Sequence, residues 1–227
     1  EKAGRAPAED RLQLLANVAS KGSDRGAYVT ALEKLVAYYP KREYWADLLR
    51  RVESKPGFSN RLTLDVMRLR LATKTLTAGG DYSEMAQLAL QQRQAGEAKR
   101  ILEEAFASGA LGKGADAERQ QRLLALATQR AADAPRELAT AETDDAADPN
   151  ALVRIGFAYT GLGQYDKGIA LMQKGIAKGG LKHPDEAKLH LGIAYLRAGN
   201  KAKANEAFRS VKGADGSADL ARLWMKV

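Results

Sequence analysis

Apolar residues recur along this chain at helical spacing, and no strand-length segment alternates apolar with polar positions. Tyr28, Leu32, Leu35 and Val36 form one such stripe, ending at Tyr38-Tyr39-Pro40. Residues 11–20 predict a helix before it, and Trp45-x2-Leu48-Leu49 opens the next. The break at Lys55-Pro56-Gly57 separates that helix from a partner over 60–73. Further on, helices are predicted over 81–92 and 97–108, with Asp81 and Glu84 as a capping box. A degenerate pair is predicted over 115–131 and 134–143. Pro149 and Pro184 fit the first position of a helix, where a missing N–H is harmless. The last long pair covers 185–198 and 201–211, with Ala198-Gly199-Asn200 as its turn, and 218–226 forms a short final helix.

The pattern repeats. Ile155-Gly156, Tyr159 and Gly163 recur 36 positions later as Leu191-Gly192, Tyr195 and Gly199, and Gly168 and Met172 recur as Ala204 and Phe208. Gly inside a helix is worth about 1 kcal/mol less than Ala, so Gly156 and Gly192 predict close approach of a second helix. Shifting the register back by 70 positions gives a weaker copy with Met85, Ala98 and Leu102.

These residues resemble the tetratricopeptide repeat, in which a Leu-Gly pair, an aromatic three residues on, and an Ala and an aromatic of the second helix recur. Leu152 and Lys188 depart from it, standing where the family often has Trp. The resemblance implies an all-α, right-handed superhelical α-solenoid of about six helical hairpins, with a short C-terminal capping helix. Its expected parts are degenerate hairpins over 1–77, middle hairpins over 78–148, and two well-matched units with the cap over 149–227, in one continuous solenoid. A narrower pattern, Leu35-Val36-x2-Tyr39-Pro40, Tyr44-Trp45, Gly80-Asp81-Tyr82, Gly96-Glu97-Ala98 and Ala221-x2-Trp224, is similar to bacterial envelope tetratricopeptide proteins encoded beside TonB-type systems. It implies a periplasmic location, with the cytoplasm as alternative.

Composition narrows the chemistry. The chain of 227 residues has no Cys, which removes disulfides, thiolate zinc sites and Cys nucleophiles. No apolar run is long enough to span a bilayer, so no membrane insertion is expected. Residues 1–10 are charged and polar, unlike a secretion signal, and a first residue of Glu implies a processed start. The net charge of +8 is uneven: 1–77 and 149–227 are basic, and 78–148 is acidic. Solvated helix faces account for that pattern, and acidic partners at the two ends are the functional alternative.

Catalytic and metal motifs are missing. His183 and His190 are seven apart, whereas a helical zinc pair needs four and a third ligand. Gly161-Leu162-Gly163 follows a helix and not a strand, and 110–114 lacks the spacing of a phosphate loop. Glu103-Glu104 and Asp144-Asp145 are adjacent and diverge by about 100° on a helix. No enzyme activity, cofactor or metal is therefore expected. The alternative function is a regulatory or processing protein that binds nucleic acid through its basic terminal segments, with Arg42, Arg50, Arg51 and Lys55 and then Arg61, Arg68, Arg70 and Lys74 as the clusters; interrupting acids and the lack of interleaved aromatics disfavour it.

The resemblance implies a non-enzymatic scaffold that holds a protein or peptide partner in a concave groove lined by the first helix of each unit. Carried over, the inward positions are Arg50, Gln87, Gln91, Gln121, Phe157, Ile193 and Arg197. In that reading Arg197 pairs with a partner's carboxylate, Gln87 and Gln91 bond its backbone, and Phe157 anchors an apolar side chain. They do not reproduce the Lys/Asn/Arg clamp of members that hold a chain's C-terminal carboxylate. A homodimer through an uncapped end stays open.

Overall fold

The computed structural model describes residues 6–227; the expectation for the first ten residues lies partly outside them. Every regular element among the described residues is helical. The chain forms two compact units, Glu1–Leu76 with Ala214–Val227, and Thr77–Gly213.

Unit 1 contains α1 (Glu9–Lys21), α2 (Arg25–Tyr38), α3 (Arg42–Glu53), a 3-10 turn (Asn60–Leu62), α4 (Thr63–Ala72) and α12 (Ser217–Trp224). Sequential helices pack on one another. Leu12, Leu32, Leu35, Val36, Trp45, Leu48 and Leu49 form its buried apolar core. The Asp24 side chain caps α2 by accepting from the Ala27 N–H at 2.9 Å.

The expected short C-terminal helix exists as α12, and α4 of unit 1 is the helix it packs on. Leu220, Ala221, Leu223 and Trp224 are buried there. Polar contacts fix its entry: the Ser59 N–H donates to the Asp215 carbonyl at 2.8 Å, and Arg61 pairs with the Asp215 carboxylate at 2.9 Å. Gly216 turns the chain at φ +103, and a Cβ there would stand 2.4 Å from the Phe58 ring, so the turn admits only Gly.

Unit 2 contains α5 (Gly79–Gln91), α6 (Ala95–Ala107), α7 (Ala117–Asp144), α8 (Pro149–Gly161), α9 (Tyr165–Lys178), α10 (Pro184–Arg197) and α11 (Lys201–Arg209). The pairs α5/α6, α8/α9 and α10/α11 are helical hairpins. Pro149 and Pro184 occupy their helix starts. Asp81 does not open α5: the helix begins at Gly79, and the Asp81 carboxylate reaches back to the Ala78 N–H at 3.2 Å. Ala78 has no side-chain acceptor, so Asp81 supplies only the return half of a capping box.

The degenerate hairpin expected over 115–131 and 134–143 is instead the single 28-residue helix α7, running through Pro135. Residues 131–134, Ala-Ala-Asp-Ala, contain no Gly to take a left-handed turn. Pro135 loses one backbone hydrogen bond, but Leu138, Ala134 and Ala141 pack on α8, and this tertiary contact carries the helix across it.

Gly156 approaches α9 closely: a Cβ on it would stand 2.5 Å from the Gly168 carbonyl oxygen, and a Cβ on Gly168 would stand 2.5 Å from that of Gly156. The equivalent Gly192 faces a side chain and not a backbone, with the Phe208 ring 2.3 Å from an added Cβ. Tyr159 and Tyr195 are buried in the same packing.

Candidate functional site

The carried-over groove positions within unit 2 do not line one shared cavity. Arg50 belongs to unit 1, is exposed, and pairs with Asp47 at 3.2 Å. The other six belong to unit 2.

Phe157 and Ile193 are each only 2% exposed, so neither offers a free apolar anchor. Phe157 stacks on His190, with centroids 4.5 Å apart and planes 8° from parallel, and the Arg197 guanidinium lies 5.0 Å from its ring centre. Arg197 is not held open for a partner's carboxylate, because it is ion-paired to Glu97 of α6, whose side chain is fully buried. α6 reaches this place because Gly96 lets it press on the end of α8; a Cβ on Gly96 would be 2.6 Å from the Gly161 carbonyl oxygen. Arg197, which the repeat pattern would leave for a ligand, is here engaged by the protein's own α6.

Gln87 and Gln91 lie on the side of α5 that faces α7, and each lines a different cavity. Gln121 is exposed and lines neither; its neighbour Gln120 faces inward, accepting from the Gly112 N–H at 2.7 Å. The inward stripe of α7 runs from its N-cap Asp116 through Gln120, Leu123, Leu126 and Arg130, a three-to-four spacing present in the sequence.

The larger cavity, about 620 Å³, lies between α5, α7 and α8. Its apolar floor includes Leu90, Ala134 and Leu138, and Leu126 on its wall is 44% exposed. Arg93, Arg130 and Arg154 stand around it with a single acid, Glu137. Arg154 reaches Asp145 only at 3.7 Å. The segment that supplies most of the cavity is acidic overall, yet the cavity itself is basic, because the fold selects which side chains face it.

Arg93 has φ +58. It sits in the α5/α6 turn where the α8/α9 and α10/α11 turns place Gly163 and Gly199 at φ +80 and +77. In all three turns the next residue's N–H donates to the carbonyl five residues back, at 2.8–3.0 Å. The left-handed conformation costs a residue with a Cβ about 1–2 kcal/mol. Retaining Arg there sets a guanidinium at the cavity's edge.

The basic clusters considered for nucleic acid are largely paired within the protein. Arg51 reaches Asp47, Lys55 pairs with Asp219, Arg61 with Asp215 and Arg70 with Glu53. Arg68 and Asp65 form a buried pair at 2.7 Å. Among the described residues no three His, Asp or Glu side chains cluster with metal-ligand spacing, and no helix is long and apolar enough to cross a membrane.

In a comparison with protein-family models, the tetratricopeptide repeat matches residues 186–214, which cover most of α10 and all of α11. A search of curated proteins gives no match.

Proposed function

We propose that this chain, with a tetratricopeptide repeat at 186–214, is a protein-interaction scaffold that holds an acidic peptide segment of its partner between α5, α7 and α8. Tetratricopeptide repeats mediate protein–protein interaction. The observation that carries the choice of groove is the exposed Leu126 with Arg93, Arg130 and Arg154 around it. An apolar side chain of the peptide covers Leu126, and flanking carboxylates meet the guanidinium groups, which favour bidentate pairing. Gln91 is placed to bond the peptide backbone. Binding here requires no chemistry of bond making or breaking, in keeping with a scaffold.

A displayed peptide library panned on the intact protein tests this. Enriched peptides are expected to combine acids with a central apolar residue, and to bind a Leu126→Asp/Arg130→Glu variant at least tenfold more weakly, about 1.4 kcal/mol. Both residues are exposed, so the variant retains its fold. Peptides without acids, or acidic peptides that bind the variant equally, would exclude this groove.

The spaced pattern resembling envelope proteins supports a periplasmic site of action. Fractionation of cells expressing the full-length native protein tests it, and recovery in the cytoplasm would move the search for partners there.

A further inference from the structure

Unit 1 holds a cavity of its own, about 710 Å³, between α2, the end of α3 and α12. That volume falls within the roughly 300–1,000 Å³ of small-molecule sites. Val29, Val52 and Pro56 give it an apolar side. Four cationic side chains, Arg25, Arg51, Lys55 and Arg222, face two carboxylates, Glu33 and Asp219.

The carboxylates are already engaged. Glu33 accepts from Arg222 at 2.8 Å, and Asp219 accepts from Lys55 at 2.9 Å and from Arg222 at 2.8 Å. Arg25 and Arg51 are paired with neither of these carboxylates, and Arg51 shares Asp47 with Arg50. Arg51 lies 4.5 Å from the Tyr28 ring centre and reaches Asp47 only at 3.5 Å. Arg25 is exposed, at the first position of α2 beside the capping Asp24.

We propose that this cavity binds a small organic anion: a short apolar body carrying carboxylate or phosphate groups. Arg25 and Arg51 hold the charged groups, and Val29, Val52 and Pro56 cover the body. Asp219 and Arg222 belong to α12, so the site is assembled from distant parts of the chain. Binding to the folded unit alone stabilises it by mass action and strengthens the docking of α12.

Both Trp residues, Trp45 and Trp224, lie in unit 1, so Trp fluorescence during melting reads this unit. Glutarate and propyl phosphate are the anionic probes, with 1,5-diaminopentane as the charge-reversed control, all at one ionic strength. At least one anion is expected to raise the melting temperature saturably, and the diamine is not. Glutarate alone identifies carboxylate as the preferred group, and propyl phosphate alone identifies phosphate. Arg25→Gln/Arg51→Gln is expected to weaken binding roughly tenfold or more. Should the double variant fail to fold, the single Arg25→Gln, at an exposed residue, is expected to weaken it measurably. No saturable shift with either anion, an equal shift with the diamine, or unchanged affinity in a folded variant overturns the proposal.

Discussion

Glu97 and Arg197 lie a hundred positions apart and form an ion pair in which the carboxylate is fully buried. The pair ties α6 to α10 and brings the Arg197 guanidinium over Phe157. Removing one member of a buried pair typically costs about 3–5 kcal/mol, because the remaining charge is desolvated without its counter-charge. Arg197→Ala is therefore expected to lower stability strongly in urea. Glu97→Leu/Arg197→Met is expected to recover most of that loss, since an apolar pair carries no desolvation penalty. A single Arg197→Ala as stable as wild type would show that the pair does not hold these helices.

The reciprocal contact of Gly156 and Gly168 predicts a steep response to one methyl group. Gly156→Ala puts a Cβ against the Gly168 carbonyl and is expected to destabilise unit 2 by about 1–3 kcal/mol. Gly80→Ala in α5 meets nothing within 4 Å and is expected to be neutral or to stabilise by up to about 1 kcal/mol. Circular dichroism melts of the two variants check the contrast.

Arg93 predicts a trade between stability and binding. Arg93→Gly relieves the left-handed strain at φ +58 and is expected to stabilise by about 1 kcal/mol. It also removes a guanidinium from the α5–α7–α8 groove, so acidic peptides are expected to bind more weakly. Urea denaturation and peptide titration on one preparation read both effects; weaker binding without added stability would contradict the strain argument.

Asp219 predicts an acid limb in the stability of unit 1. Burial on its own would raise its pKa, but hydrogen bonds and charge from Lys55 and Arg222 outweigh that and hold it below the ordinary 3.8. A folded-state pKa below the unfolded one means the contribution is whole above the unfolded value and is lost as pH falls through the folded one. Asp219→Asn is therefore expected to melt earlier than wild type at neutral pH. The difference should shrink as the pH drops below 3.8. Trp fluorescence melts across that range check it, and a gap independent of pH would mean that packing and not charge is responsible.

Local order was legible in the sequence. Helix periodicity, Pro149 and Pro184 at helix starts, the glycine turns at Gly163 and Gly199, and the close approach at Gly156 all follow from residues a few positions apart. Such features depend on backbone sterics and on the 3.6-residue turn, which act within one or two helices. Tertiary structure decided the rest. Packing on α8 carried α7 through Pro135, where propensity alone suggested a break. Docking on α4 assigned α12 to unit 1, and Glu97 paired with Arg197, a position that the repeat pattern marked as open. A side chain's periodicity shows which face of its helix it occupies; what covers that face is set by apolar burial and charge pairing between segments up to a hundred residues or more apart.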